Sequence, residues 1–265
     1  MILDKIVEAK KIRIAEQKTR LSLADIRARL NAKDGMGANK KREAFAFEKA
    51  IGGEEMSFIC EVKRASPSRG IISEEFPYLA IALQYQDAGA AAISVLTEVD
   101  FFQGSNYYLT EISRHVTIPV LRKDFIIDEY QIYEAKMIGA DAVLLICALL
   151  DIDTLRLFLD ICEGLGLSAL VEAHSEDEID RAIKAGATIV GVNNRNLKSF
   201  EVDIHHCVRL REKVPKDIIY IAESGISDIE DIRLLRNNNI NALLIGEALM
   251  KCKDIKGRMA KWRKS

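Results

Sequence analysis

The sequence predicts a single (β/α)8 barrel, a closed ring of eight parallel strands surrounded by helices. Three observations predict this fold. The chain has 265 residues, a length that suits one such barrel. Eight short apolar or β-branched runs recur along it, and amphipathic segments lie between them. Most of the runs lack polar alternation, which indicates strands that are buried on both faces, as in a parallel sheet.

The strands and several helices can be placed in order along the chain. The spacing leaves room for one helix after each strand, and the predicted strands are 57–63, 91–97, 118–123, 142–147, 168–173, 188–193, 218–223 and 241–246. Helices are predicted over 75–88, 129–138 and 176–185, and each of these is followed by a glycine, a common residue at helix ends. A further helix ends at Arg236 and begins at Ser227-Asp228-Ile229-Glu230, which matches a capping box.

Residues 1–50 precede the first strand and also read as helical, so we expect an N-terminal helical extension that packs across one end of the barrel. The predicted organisation is a single domain over 1–265, with the barrel proper over 57–250. The structural alternative is a doubly wound open sheet. That fold usually has fewer strands and a glycine-rich first turn, whereas the first turn here, 66–70, reads SPSRG and does not match GxGxxG.

Composition excludes several classes of protein. Apolar residues make up 49% of the chain, enough for a sizeable core, and 38 Lys and Arg balance 40 Asp and Glu. The net charge of −2 gives no global support for nucleic-acid binding, and the longest apolar run, 142–150, is too short to span a membrane. The five cysteines are scattered and show no metal-binding spacing, so we predict reduced thiols, a cytoplasmic protein and no metal.

Polar side chains stand at the ends of the predicted strands, where the active sites of this fold lie. A rim of solvated salt bridges would explain isolated charges, but burying so many idle charged groups at matching positions would be costly. The sequence therefore predicts that these residues converge on one functional mouth. They are Glu61, Lys63, Lys123, Glu172, Asn193 with Arg195, and Glu223.

The loops after the seventh and eighth strands predict a phosphate site. The seventh strand runs into Ser224-Gly225 and the eighth into Gly246-Glu247. Glycine lets backbone N–H groups approach an anion, and a following helix N-terminus favours negative charge. Ser66, in the loop after the first strand, could add a hydroxyl.

The chain resembles the indole-3-glycerol phosphate synthase family from about Ser57 to Met250. The stretches EVKRASPS and LRKDF are the most specific, and further motifs follow in the order of the family. The motifs are ICEVKRASPSRG (59–70), VLTEVDFFQGS (95–105), PVLRKDFIIDEYQI (119–132), GADAVLLI (139–146), LVEAH (170–174), GVNNRNL (191–197), IAESGI (221–226) and LLIGEALM (243–250).

The resemblance implies a reaction and a role for each polar strand end. The family closes the indole ring of 1-(2-carboxyphenylamino)-1-deoxyribulose 5-phosphate, releases carbon dioxide and water, and implies no metal or organic cofactor. Lys123 is then expected to be the ring-closing acid, and Lys63 to pair with the substrate carboxylate and serve in dehydration. Glu172 is expected to be the base of dehydration, and Glu61 to orient Lys123 or stabilise charge on it. Asn193 and Glu223 would bind the amine and hydroxyl side of the substrate.

The resemblance also implies the substrate-binding residues. The phosphate would be held by Ser66, Ser224, Gly225, Gly246 and the backbone of Glu247, and Arg195 would neutralise negative charge. The residues expected around the aromatic ring of the substrate are Phe102, Phe125, Leu144 and Leu197. For these four an ordinary core position is an equal alternative, because buried Phe and Leu are common.

Three rival functions remain open at this point. Phosphoribosylanthranilate isomerase would share the phosphate site but needs a Cys/Asp pair, and Cys60 faces away from Glu61. A barrel that only binds a phosphorylated metabolite would not need the lysines and carboxylates. The basic C-terminus, 251–265, could contact RNA or a membrane, although a solvated terminal helix explains it. We expect a small phosphorylated substrate, no nucleic-acid or membrane partner, and a monomer in preference to an oligomer.

Overall fold

The computed structural model describes residues 2–32, 42–196 and 199–265. Eight parallel strands form a closed barrel in the neighbour order β1-β8-β7-β6-β5-β4-β3-β2, and β2 pairs with β1 again. The predicted (β/α)8 fold is confirmed. The strands are β1 (Ser57–Val62), β2 (Ala92–Leu96), β3 (Val120–Lys123), β4 (Ala142–Ile146), β5 (Ser168–Ala173), β6 (Ile189–Asn193), β7 (Ile219–Glu223) and β8 (Ala242–Ile245).

Helices precede the barrel, alternate with its strands and follow it. They are α1 (Ile2–Arg20), α2 (Leu23–Asn31), α3 (Ala46–Ile51), α4 (Tyr78–Asp87), α5 (Asn106–His115), α6 (Glu129–Met137), α7 (Ile152–Leu165), α8 (Glu176–Ala185), α9 (His205–Leu210), α10 (Ile229–Asn237), α11 (Glu247–Met250) and α12 (Ile255–Arg263). A short antiparallel ribbon, Ala65–Ser66 with Gly70–Ile71, shapes the loop after β1.

One predicted helix start is shifted by a residue. The N-cap of α10 is Asp228, not Ser227, and its side chain accepts hydrogen bonds from the backbone N–H groups of Glu230 and Asp231. Asp231 completes the capping box by accepting from the backbone N–H of Asp228. Asp and Ser are equally good N-caps, so the sequence pattern alone could not choose between the two registers.

Strand alternation separates the helix-facing core from the barrel interior. In β1, Phe58, Cys60 and Val62 belong to the core between strands and helices. Ile59 points the other way, into an interior cluster that includes Leu121, Ile189 and other inward residues of the ring. Because side chains alternate with a period of two, the position two residues beyond Ile59 also faces inward, nearer the C-terminal mouth.

The N-terminal extension covers both ends of the barrel, whereas the sequence analysis placed it at one. Phe47 and Ile51 of α3 are fully buried in the interior cluster at the N-terminal end of the strands. At the opposite end, Ile6 of α1 lines the mouth. α1 is fixed there by a buried ion pair, with Lys10 Nζ lying 2.7 Å from Asp124 Oδ1.

The basic C-terminal segment forms α12, and part of it packs on the barrel. Met259 and Trp262 are buried, and the Trp262 ring stacks on Phe58 with centroids 6.2 Å apart. The side chain of Arg263 donates to the carbonyl of Ala88. Along the parts of the chain that the structure describes, every helix falls short of the length or apolarity of a membrane span.

Replacing Asp228 with Ala tests the helix start that follows the β7 loop. The substitution removes an acceptor for two backbone N–H groups, so we expect the free energy of unfolding to fall by about 1 kcal/mol. Urea denaturation measures it. Glu230→Ala is the matched control, because it removes a carboxylate from the same first turn but one that is paired with exposed Arg233. Equal losses in the two variants would contradict the capping assignment.

Candidate active site

The polar strand-end residues predicted from the sequence line one cavity at the C-terminal mouth of the barrel, Arg195 among them. The cavity has a volume of about 630 Å³. Glu61 lies two residues beyond Ile59 on β1, and strand alternation likewise turns Lys123, Glu172 and Glu223 inward. The structure therefore brings the predicted group together. Its members are Glu61, Lys63, Lys123, Glu172, Asn193, Arg195 and Glu223.

Lys63 and Glu61 form a close ion pair on the wall of the cavity. Lys63 Nζ donates to Glu61 Oε1 at 2.5 Å. Gly246, which follows β8, lies against this pair. A Cβ atom at Gly246 would stand 2.5 Å from Glu61 Oε1 and 3.1 Å from Lys63 Nζ. The glycine predicted for phosphate binding thus also makes room for the ion pair.

Lys123 lies between two buried carboxylates. Its Nζ atom is 3.3 Å from Glu172 Oε2 and 3.4 Å from Glu223 Oε2. The carboxylates are 3% and 2% exposed at their side chains, and Lys123 is 15% exposed. All three side chains line the cavity, and that of Lys123 is the most exposed of them.

The net direction of the lysine shift, which the sequence could not settle, follows from this arrangement. Burial alone would lower the pKa of the Lys123 ammonium, but Glu172, Glu223 and Glu61 outweigh burial and raise it. Lys123 is therefore protonated at neutral pH. Burial and the nearby Glu172 and Glu61 raise the pKa of Glu223 to about 8, although Lys123 opposes the rise. Glu223 is then the carboxyl group of the site that can hold a proton near neutral pH.

Glu172 is held by three different side chains. Lys123 occupies one carboxylate oxygen, and Asn193 Nδ2 donates to the other, Oε1, at 3.4 Å. His174 Nε2 also lies 3.4 Å from Oε1. Burial would raise the pKa of Glu172, but Lys123 and then His174 outweigh it and keep this pKa below its usual range. Glu172 is an ionised carboxylate in position to accept a proton.

Gly191 provides space for the carboxylates. It lies on β6 opposite Glu172 and Ile221, and a Cβ atom there would stand 2.4 Å from Glu223 Oε1. The Oε1 atom of Glu223 is buried and has no hydrogen-bond partner among the described residues. Glu223 therefore offers one unused oxygen inside the cavity.

The predicted phosphate loops form the other side of the cavity. Ser224 and Gly225 have backbone φ angles of 66° and 80°, so the chain turns sharply after β7. Asn194 supports the turn, since its Nδ2 donates to the carbonyl of Ser224 at 3.1 Å. Ser66 is 8% exposed and lines the same cavity. The three predicted loops thus meet at one place, where backbone N–H groups and hydroxyls can bind an anion.

Charged side chains surround the phosphate loops. The carboxylate of Glu247 is paired with Lys251 at 2.7 Å and with Arg69 at 3.3 Å. Arg195 lines the cavity, and its guanidinium donates to the carbonyl of Phe200 at 3.2 Å. The cations around Glu247 offset its negative charge, so an anion can approach this end of the cavity.

The predicted aromatic wall is present in part. Phe102 and Phe125 line the cavity with ring centroids 5.9 Å apart, and Leu144 is buried beside them. These residues form an apolar side opposite the phosphate loops. Leu197 lies outside the described residues, so its predicted role stays a prediction.

Several cavity residues were missed by sequence reasoning. The predictions considered only the barrel loops, and α1 gave no sign of which end it would cover. The missed charged residues lie in the loop after β1 and in the basic C-terminal segment, where a solvated surface position is the ordinary expectation. The additional lining residues include Ile2, Leu3, Ile6, Arg69, Phe200, Val202, Lys251 and Arg258. His174 could have been found, because it lies two residues after Glu172 and so faces the same side of the strand.

Cys60 is poorly placed for the acid–base pair that the isomerase alternative needs. Cys60 is fully buried between strands and helices, and its thiol contacts the sulfur of Met259 at 3.8 Å. Burial raises the pKa of this thiol. Among residues 2–32, 42–196 and 199–265, no cluster of three or more His, Cys, Asp or Glu residues could hold a metal ion.

Solved structures with the same fold include enzymes with other names. A 3-hexulose-6-phosphate synthase aligns with a TM-score of 0.64 and 14% sequence identity, over 79% of this chain and 99% of its own. Thiamine phosphate pyrophosphorylase from Pyrococcus furiosus aligns with a TM-score of 0.57 and 18% identity, over 79% of this chain and 94% of its own. At such identities the likeness shows the barrel fold alone.

Sequence comparison identifies the family. The model of the family described as indole-3-glycerol phosphate synthase matches residues 3–261. The protein of that name from Ruminiclostridium cellulolyticum is 56% identical over 267 residues, covering 100% of both chains. The one from Endomicrobium trichonymphae is 55% identical over 259 residues, covering 98% of both. The chain belongs to the indole-3-glycerol phosphate synthase family.

Proposed function

We propose how the side chains of this cavity carry out the reaction of the family. The reaction converts 1-(2-carboxyphenylamino)-1-deoxyribulose 5-phosphate to indole-3-glycerol phosphate with loss of carbon dioxide and water, a carboxy-lyase step of tryptophan biosynthesis. The observation that carries the proposal is the Lys123 ammonium, which reaches into the cavity from between Glu172 and Glu223. A protonated amine at that place can donate to a substrate carbonyl.

Lys123 is the acid of ring closure. The aromatic carbon that bears the carboxylate attacks the carbonyl carbon, and the developing alkoxide takes a proton from Lys123. The adjacent carboxylates keep the lysine protonated before substrate arrives, as their effect on its pKa requires. Loss of carbon dioxide then leaves its bonding electrons in the ring and restores aromaticity.

Lys63 serves the carboxylate and the final step. Its side chain is 18% exposed beside Glu61, and its ammonium group can pair with the substrate carboxylate and later protonate the departing hydroxyl. Glu61 pairs directly with Lys63, and its negative charge also raises the pKa of Lys123. Asn193 and Glu223 contact the amine and hydroxyl side of the substrate.

Glu172 is the base of dehydration. It accepts the proton that leaves carbon as the hydroxyl departs, and its ionised state is favoured by Lys123. The two ends of the substrate bind to different kinds of residue. Phe102, Phe125 and Leu144 enclose the aromatic ring. The phosphate is bound by Ser66, Ser224, Gly225, Gly246 and the Glu247 backbone, with Arg195 nearby.

The domain organisation and the location of the protein extend the proposal. We propose that 1–265 works as one domain, because Phe47 of the extension packs inside the barrel. A monomer in the cytoplasm stays a prediction, and all five cysteines being free is in keeping with that compartment. The bound partner of the cavity is a small phosphorylated molecule.

Lys123→Ala should lower kcat by about 10²- to 10⁴-fold, the usual contribution of a general acid. Indole fluorescence during turnover measures it, and circular dichroism checks the fold. Lys18→Ala is the control, because Lys18 pairs with Asp128 at the surface. A Lys123→Ala enzyme that is folded and retains more than a tenth of wild-type kcat would rule out Lys123 as the ring-closing acid.

The two lysines should fail at different steps. Lys63→Ala should still release about one equivalent of carbon dioxide per site in a first turnover, because closure precedes dehydration, and should then accumulate a hydroxylated intermediate. Lys123→Ala should release little carbon dioxide. Rapid-quench carbon dioxide measurements against indole absorbance compare them. If both variants lose carbon dioxide release equally, both lysines serve the first step and the proposed division is wrong.

An anion should bind where the loops after β1, β7 and β8 meet. The positive φ of Gly225 permits the turn that brings the backbone to the anion, so a crystal soaked in phosphate should show density beside Ser224 and Gly246. Gly225→Ala should weaken phosphate binding, because a side chain there is strained and would contact Val202. Ordered phosphate found only elsewhere on the protein would contradict this site.

A further inference from the structure

His174 lies between two carboxylates directly behind the proposed base. Its Nε2 is 3.4 Å from Glu172 Oε1, and its Nδ1 is 3.5 Å from Glu178 Oε2. Both ring nitrogens are buried, and neither makes a hydrogen bond within the described residues. The imidazole therefore has only acidic neighbours at its two nitrogens, an arrangement that favours the doubly protonated ring.

The start of α8 fixes this arrangement. Ser175 is the N-cap, and its side chain accepts from the backbone N–H of Glu178. The Glu178 carboxylate turns back and accepts from the backbone N–H of His174 at 2.7 Å. The same carboxylate thus holds the backbone of His174 and faces its ring. The arrangement differs from a capping box, in which the Glu side chain would accept from the backbone N–H of the N-cap Ser175 itself.

The other groups around His174 do not compete for its ring nitrogens. His206 of α9 contacts only the main-chain carbonyl of His174, with Nε2 3.1 Å from the oxygen. Burial would lower the pKa of His174, but Glu178, Glu172 and Glu223 outweigh it and raise this pKa. Two further charged side chains act through the carboxylates, Lys123 at Glu172 and Arg181 at Glu178. Asn193 is a neutral donor to Glu172, and the Cys147 thiol donates to the main-chain carbonyl of Glu178.

We propose that His174 is a positioning residue that keeps Glu172 ionised and correctly turned for the dehydration step. The proposal rests on Glu172 being the base of that step. Lys123 lies at Oε2 of Glu172, whereas Asn193 and His174 lie at Oε1. The His174 imidazolium is therefore the positive charge beside Oε1 of Glu172. It does not touch the ring-closing lysine, so its removal should affect dehydration more than closure.

Removing the imidazolium should change the pH dependence in a defined direction. In the wild-type protein His174 lowers the pKa of Glu172, so the base stays ionised as the pH falls. In His174→Gln that pKa should rise, and the acid limb of the kcat profile should move to higher pH by about 1 unit, the usual effect of one close opposite charge. A merely structural loss would lower kcat by the same factor at every pH.

The experiment compares His174→Gln with His206→Gln, a control that removes an imidazole touching only the carbonyl of His174. Indole formation and carbon dioxide release are measured from pH 4 to 9. We expect His174→Gln to shift the acid limb upward and, on that limb, to slow indole formation more than carbon dioxide release, with His206→Gln unchanged in both respects. A rise of about 1 unit in the pKa of Glu172 corresponds to about 1.4 kcal/mol between its two protonation states.

Two further measurements keep the proposal testable if His174→Gln folds poorly. Glu178→Gln keeps the shape but removes the charge facing Nδ1, so it should move the acid limb in the same direction by less. NMR titration of wild-type His174 should give a pKa above that of an exposed histidine. An unshifted acid limb in both variants, or His174 neutral at pH 7, would overturn the proposal. A wild-type protein that forms no indole product would instead overturn the proposed function.

Discussion

The active site depends on the rule that strand side chains in a closed barrel alternate between interior and exterior. The interior of an eight-stranded barrel is filled by side chains, and the layers below the C-terminal mouth hold apolar ones such as Ile59, Leu170 and Ile221. One step further along the same strands, the inward positions become Glu61, Glu172 and Glu223. Ionised groups are tolerated there because they are the last level before the open mouth and because lysines accompany them.

The charge balance of this level determines which protons can move. Three carboxylates face two lysines, and the lysines do not share them evenly, since Lys63 pairs with Glu61 while Lys123 serves Glu172 and Glu223. One carboxyl group is therefore left under-compensated, and Glu223 shows it by its pKa near 8. A substrate that brings its own carboxylate next to this group adds negative charge. That charge raises the pKa of the nearby proton donors until carbon dioxide departs.

The sequence predicted the barrel and most of the site because both follow from local patterns. Continuous apolar runs located β5 and its neighbours to within a residue or two. The polar residues at the C-terminal ends of these strands were expected at one mouth of the barrel, because all the strands are parallel. What it could not predict depends on contacts between distant segments. The sequence of α1 reads as helical but does not show which end of the barrel the helix packs against. The sequence of α3 likewise reads as an ordinary short helix, although Phe47 lies inside the barrel. The choice between Ser227 and Asp228 as N-cap was a matter of equal propensities.

The insertion of α3 into the base of the barrel has a consequence for how the chain reaches its native state. Phe47 and Ile51 pack against inward residues from strands at both ends of the sequence, including Ala92 and Ala242. During synthesis on a ribosome the helix emerges early, yet the last of its partners is made near the C-terminus. Its apolar face must wait, exposed or loosely covered, until the ring closes. Contacts between residues so far apart in sequence are slow to form, so the docking of α3 belongs to the late events of folding.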